Sequence, residues 1–209
     1  MMQHVTRAIA PNEKLPVVKC EVAQILKSRA YTPQQAQLVA NHQTEHNALA
    51  TQIAFAAGLR AHELLTIARL DERSPDKRPT ADTKWLGRTG EFYTVIGKGG
   101  LCRTVLIPTA LAHQLESRRY SAPKVRVDRG VNYLSRYNLA GGSAWSSSFT
   151  QASKRAIYRS SGAHGLRHSY AQQRMAELQK SGLSRLAALE TVSQEMGHFR
   201  PEITEVYLR

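Results

Sequence analysis

Two runs rich in β-branched and aromatic residues, Phe92-Tyr93-Thr94-Val95-Ile96 and Arg103-Thr104-Val105-Leu106-Ile107, flank the turn Gly97-Lys98-Gly99-Gly100. Strand-forming runs separated by a short glycine-rich connection predict an antiparallel hairpin. Pro108 closes the second run, since proline has no N–H to give to a ladder. Around this hairpin the chain reads as helix and loop. The expected fold class is therefore α+β, mainly α, with helices packed on a small antiparallel β-sheet.

The helices are well punctuated. Thr32 is placed to cap a helix with Pro33 at its first position, where a missing N–H costs nothing. The helical pattern runs to about Ala57, with Leu38, Leu49, Ile53 and Ala57 available to bury, and Gly58 is the expected C-terminal stop. A second short helix is expected over 60–68, burying Leu64, Leu65 and Ile67, followed by a polar loop over 71–83. After Pro108, Thr109 is expected to cap a helix to about Arg119. Residues 120–145 read as irregular, and 146–158, 165–180, 184–196 and a short segment from Pro201 read as helical. The first thirty residues form a basic lead-in broken by Pro11 and Pro16, with a helix expected over 17–27. The expected division is a lead-in over 1–31 and one domain over 32–209.

Composition narrows the partner. The chain has 29 Lys+Arg against 16 Asp+Glu, a formal charge of +13. An excess of that size in a non-repetitive globular sequence points to a polyanion, nucleic acid being the commonest; a merely basic soluble protein is the alternative. The cations are spread along the chain rather than gathered on one amphipathic face, which argues against a membrane surface. No apolar run reaches membrane-spanning length, and Met1 to Pro16 has no signal-peptide core. A cytoplasmic protein is expected. Cys20 and Cys102 read as free thiols, too few for a disulfide framework or a zinc site.

Three segments carry chemistry. In His164-Gly165-Leu166-Arg167-His168, positions i, i+3 and i+4 share one face of a helix start, where free N–H groups and the positive dipole end favour a phosphate. In Gly58-Leu59-Arg60-Ala61-His62-Glu63-Leu64, Arg60 follows the helix stop and Glu63 is one turn on, placed to hold a guanidinium. His198, in Met196-Gly197-His198, precedes Tyr207 by nine positions. An unperturbed tyrosine is only about 0.1% phenolate at pH 7, a handicap of roughly 4 kcal/mol as a nucleophile. Cationic neighbours or a general base must offset it. Each segment has a plain alternative: a helix cap, a surface ion pair, a packing aromatic.

Taken in order, Arg60, Lys98, His164-x-x-Arg167, His198 and Tyr207 resemble the tyrosine recombinase (phage integrase) family, over about 32–207. The resemblance implies its catalytic-core fold and a metal-free, cofactor-free reaction. Tyr207 would attack a DNA phosphodiester, form a 3′-phosphotyrosine link and release a 5′-hydroxyl. Arg60 and Arg167 would clamp the non-bridging oxygens, Lys98 would protonate the leaving oxygen, and His164 would act as base for Tyr207. His198 would donate a further bond to the phosphate, with Glu63 and His168 orienting these groups. Arg103, and Lys124, Arg126 and Arg129 in the 120–145 segment, are the expected further DNA contacts. The implied partners are double-stranded DNA, other copies of the chain in a tetramer on DNA, and accessory DNA-bending proteins. The implied setting is a bacterial or phage-encoded, nucleoid-associated protein of a mobile element.

Two features depart from the family pattern. About thirty residues precede the matching region, too few for the core-binding domain that usually completes a clamp around DNA. Only Leu208 and Arg209 follow Tyr207, where many members carry a helix that docks on a neighbouring subunit. The segments at 120–145 and 180–183 are also longer than a minimal member needs. A type IB topoisomerase-like nicking and closing enzyme, or a DNA-binding module without catalysis, are the competing functional expectations.

Overall fold

The computed structural model describes residues 28–78 and 80–208. The helix expected over 17–27, the prolines of the lead-in and Cys20 lie outside them. Thr32 caps α1 (Pro33–Asn41) through a capping box: its hydroxyl accepts from the Gln35 N–H at 3.2 Å, and the Gln35 side chain accepts from the Thr32 N–H at 3.1 Å. The single helix expected to Ala57 is two helices. α1 stops at Asn41, and α2 (Glu45–Ala57) starts afresh after Thr44. Gln43 pins the break, accepting from the Thr51 hydroxyl at 2.6 Å and donating to Ser148 at 3.1 Å. With α1 turned by this break, Leu38 points outward instead of into the core.

Gly58 ends α2 in the left-handed region at φ +62, and the helix expected over 60–68 is only a 3-10 turn, Glu63–Thr66. The chain then enters β1 (Ala68–Arg69), which pairs antiparallel with β2 (Glu91–Ile96), itself paired with β3 (Cys102–Ile107) in the register Tyr93↔Val105. This is the expected hairpin with one short strand added. Pro108, not Thr109, is the N-cap of α3 (Thr109–Glu116).

The largest correction concerns 120–145, which is not irregular. β4 (Arg119–Asp128) and β5 (Val131–Tyr137) form a second hairpin, and α4 (Gly142–Ile157) begins four residues earlier than expected. Its two-residue turn is Arg129-Gly130, both at positive φ (50 and 75), which matches the twist of the flanking strands. The signal was present as Val-Arg-Val-Asp before the turn and Val-Asn-Tyr-Leu after it. It was masked because Val125, Val127, Val131 and Leu134 are all exposed, so no buried face marks the pattern.

α5 (Gly165–Lys180), α6 (Arg185–Glu195, capped by Ser184) and α7 (Pro201–Glu205) follow, with a 3-10 turn over 206–208. The apolar residues form two clusters. The larger joins α1, α2, α4 and the three-stranded sheet around Ile53, Val95, Ile107, Trp145 and Phe149. The smaller joins α5 and α6 through Tyr170, Met175, Leu178, Leu189 and Val192, and its edge is Tyr207. The chemistry-bearing segments meet at the seam between them. No helix among the described residues is long and apolar enough to cross a membrane.

Candidate functional site

Arg167 is the centre of the site. It lies on the first turn of α5, is fully buried, and its guanidinium is held by carbonyls at two helix ends. Nη1 donates to the carbonyl of Gly58, which ends α2, and Nη2 to that of Met196, which ends α6, at 3.1 Å. Helix C-termini present carbonyls with no partner of their own, so a cation there is favoured twice, by hydrogen bonding and by the dipole. The glycines of the Gly58-Leu59-Arg60 and Gly197-His198 segments are what turn those ends toward Arg167. Gly197, at φ +72, also packs on the Arg103 side chain, whose Cδ would lie 2.5 Å from a Cβ there.

Beneath Arg167 lies Glu63, wholly buried. Its carboxylate accepts from the backbone N–H of Arg60 at 2.7 Å, from Arg60 Nη1 at 2.9 Å and from Arg103 Nη2 at 3.0 Å, with Arg167 Nη1 at 3.7 Å. Burial alone would raise the carboxyl, but Arg103, Arg167 and Arg60 outweigh it and hold the pKa at about 2. Three guanidiniums against one carboxylate leave an uncompensated positive charge at the seam, the electrostatic condition for an anion site. Arg60 is the exposed member, its side chain 23% accessible. Arg103, expected as a further DNA contact, is 3% exposed and tied to Glu63 and to the carbonyl of Glu195 at 2.8 Å, so in the free protein it braces the cluster from below.

Over Arg167 stands the Tyr207 ring, with the guanidinium carbon 5.5 Å from its centroid. Three imidazoles surround that ring: His168 at 4.8 Å, His198 at 5.1 Å and near-parallel, and His164 at 5.4 Å. His198 Nε2 is 2.9 Å from Arg167 Nη2, and its Nδ1 is 2.9 Å from the hydroxyl of Thr204. A guanidinium has no acceptor, so Nε2 accepts and the proton is on Nδ1, donated to Thr204. Burial, then Arg167, Arg60 and Arg103, depress the His198 pKa to about 3. His164, on the helix N-terminus, is depressed to about 4 by loss of solvent on its packed face, then by Arg167, His168 and Arg29. His168 is lowered by burial and by Arg29. All three rings are neutral at pH 7.

Of the residues singled out in the sequence, Arg60, Glu63, His164, Arg167, His168, His198 and Tyr207 are brought to this one cluster. Lys98 is not in contact with it. It is exposed on the β2–β3 turn, whose base approaches the cluster: a Cβ on Gly97 would lie 3.4 Å from Glu63 Oε1. Lys124, Arg126 and Arg129 lie on the β4–β5 hairpin, Lys124 over the Tyr120 ring at 4.4 Å and Arg129 exposed in the turn. Sequence reasoning missed a second buried hub beside the first, where Glu195 accepts from Arg174, from the Tyr170 hydroxyl at 2.8 Å and from the Trp85 N–H at 2.8 Å. It also missed Lys84, half-buried and lowered to about 8 by burial and by Arg103. Nothing local marks either one: the partners of Glu195 are distant in sequence, and the Trp85 ring under Lys84 at 4.2 Å does not reveal the nearby Arg103. Among the described residues no group of three or more His, Cys, Asp or Glu is placed to hold a metal ion.

No family model and no curated protein matches the sequence. Solved structures do match the fold. The XerH site-specific recombinase bound to its difH substrate in a pre-cleavage complex aligns at a TM-score of 0.52 and 17% identity, over 96% of this chain and 55% of that one. The XerA recombinase aligns at 0.55 and 15%, over 90% and 62%. The integrase of the Tn1549 transposon, in complex with transposon right-end DNA, aligns at 0.52 and 14%, over 88% and 62%. The chain thus spans roughly half to three-fifths of the length of these proteins. At such identities the likeness is one of architecture, and the architecture of this chain is that of the tyrosine recombinase catalytic core.

Proposed function

We propose that residues 32–209 are the catalytic domain of a site-specific DNA recombinase or integrase, acting with other copies of itself on duplex DNA and using Tyr207 as nucleophile. The observation that carries this reading is the cluster itself: a tyrosine ring enclosed by three neutral imidazoles and set over a buried guanidinium, among side chains of net positive charge. That the Tn1549 integrase is solved with transposon right-end DNA, and XerH with its difH substrate, supports duplex DNA as the partner.

The chemistry follows from the residues. Arg60 and Arg167 present planar donors to the non-bridging oxygens of a phosphodiester and stabilise charge as the phosphorus gains its fifth ligand. The Tyr207 hydroxyl attacks phosphorus as its proton passes to the free nitrogen of His164. The bond to the 5′-oxygen breaks, and that oxygen takes a proton from Lys98, carried in on its exposed turn. The 3′-phosphotyrosine keeps the energy of the broken bond for rejoining. His164 is a weak base at a pKa of about 4, and an incoming phosphate, by neutralising part of the local positive charge, moves it toward a useful value. His198 needs a second proton, or the other tautomer, to donate from Nε2 to that phosphate, and the same anion favours the proton.

The test is covalent trapping. Incubation with a library of nicked, mixed-sequence duplexes, followed by SDS and mass spectrometry, should yield a nucleotide-bearing peptide containing Tyr207. Tyr207→Phe should bind the library unchanged and give no adduct. Adduct on another residue would remove Tyr207 as the nucleophile, and no adduct while binding is intact would leave a DNA-binding module in place of an enzyme.

A further inference from the structure

Segment 28–31 is fastened to the first turn of the helix that carries His164, Arg167 and His168. The Tyr31 N–H donates to the buried Ser169 hydroxyl at 2.7 Å, which in turn donates to the carbonyl of Gly165 at 3.1 Å. The Tyr31 hydroxyl accepts from the Ser161 N–H at 2.7 Å. The carbonyl of Arg29 lies so close to Gly165 that a Cβ there would overlap it. The position of Arg29 relative to His164 is therefore set by main chain on both sides.

The side chain of Arg29 is exposed, and among the described residues its one hydrogen bond is from Nη2 to the carbonyl of Ser161 at 3.1 Å. No carboxylate pairs with it among the described residues. Among the described residues Arg29 shares its surroundings with other cations: Arg29, Arg167 and Arg60 all act on His164, and Arg29 and Arg167 both act on His168. A fixed, unpaired guanidinium beside a cluster already rich in cations is unfavourable in the free protein. A polyanion turns that cost into binding.

We propose that Arg29 is a phosphate-binding residue, holding a backbone phosphate next to the one over Arg167, so that segment 28–31 is part of the nucleic-acid site. This rests on the DNA-directed reading above. Four of its five N–H donors remain for an oxygen ligand after the bond to Ser161. The anchoring of its main chain lets that contact fix how the substrate strand lies against the first turn of α5.

The experiment is the salt dependence of binding to a mixed-sequence duplex of about 30 base pairs, followed by fluorescence anisotropy between 50 and 200 mM NaCl. Arg29→Gln removes the charge while keeping a polar amide side chain, so it is read even where Arg29→Ala alters folding, with thermal melting as the control. Loss of one phosphate contact should make the slope of log K against log salt shallower by about 0.9. The affinity gap from the wild type should then narrow roughly 3-fold across that range. Arg29→Lys should restore the slope, and Arg69→Ala, which removes a guanidinium paired with Asp71, should leave it unchanged. A wild-type slope in Arg29→Gln, with wild-type binding intact, overturns this inference alone. A wild type that does not bind duplex DNA overturns the parent reading and this one with it.

Discussion

Glu63→Gln isolates the charge balance under the site. The substitution keeps the shape of a side chain that has no exposed surface, while removing the one negative charge among Arg60, Arg103 and Arg167. It also replaces an oxygen with an NH2 group, which must face a guanidinium or the Arg60 N–H as donor against donor. Holding the carboxyl at about 2 rather than 4.5 corresponds to about 3 kcal/mol of folded-state stabilisation, at about 1.4 kcal/mol per pH unit. Removing one partner from a buried ion cluster costs about 3–5 kcal/mol in general, so the two figures agree. Urea unfolding at pH 7 should show a loss of about 3 kcal/mol, and a melting temperature lower by roughly 6–12 °C. The sign with pH is fixed. Because the folded carboxyl has the lower pKa, the unfolded chain binds the proton first, and this stabilisation is lost as pH falls from about 4.5 toward 2. Glu63→Gln should therefore have a flatter acid limb than the wild type. A loss below about 1 kcal/mol at pH 7 would refute the reasoning, since two buried guanidiniums with a third beside them cannot go uncompensated so cheaply.

Three further outcomes follow from the same geometry. With His164 and His198 held near 4 and 3, the unfolded chain takes up protons below its ordinary 6.5, so their share of stability falls as pH drops from 6.5. Sulfate, by favouring their protonated forms in the folded site, should raise the melting temperature more at pH 5.5 than at pH 8; equal increments would count against an anion site at these rings. Gly197→Ala forces a Cβ toward Arg103 at a positive φ and should cost about 1–3 kcal/mol in urea unfolding. It should also lower adduct yield by loosening Arg103 from Glu63, and a variant as stable as the wild type would contradict the packing described. Tyr158 ends α4 at φ +57 with its side chain 94% exposed, so Tyr158→Gly should stabilise by about 1 kcal/mol in the same assay, and destabilisation would mean the ring has a partner.

Local rules sufficed where structure is local. The Thr32-Pro33 cap, the Gly58 stop, the β2–β3 hairpin and α5 depend on neighbours within a few positions, and each was legible from residue type and spacing. The break at 42–44 was not, because Gln43 makes it with Ser148, over a hundred residues away. The β4–β5 hairpin escaped because both of its faces are largely open, so burial leaves no period in its sequence. The contacts of Arg103 were not legible for a related reason: only the fold brings Glu63 and the end of α6 to it. Arg29 was passed over because its significance lies in contacts with 161–169, which no spacing rule links to a lead-in.

The structure also explains why several motif positions contribute a glycine turn or a carbonyl acceptor rather than a reactive group. Arg167 cannot be positioned by a carboxylate alone, since a tight pair with Glu63 would spend the charge that an anion must meet; at 3.7 Å the pair is loose. Neutral carbonyls at the ends of α2 and α6 hold the guanidinium instead, and they orient it without cancelling its charge. That leaves the positive field intact beneath Tyr207, whose ring covers Arg167 and stacks on His198. A cation under an aromatic face is worth only about 0.5–2 kcal/mol. A phosphate forming charge-assisted bonds to two guanidiniums gains about 1.5–3 kcal/mol for each. An anion that reaches both guanidiniums therefore outcompetes the ring for Arg167, so the cation–π contact is one that anion binding can displace.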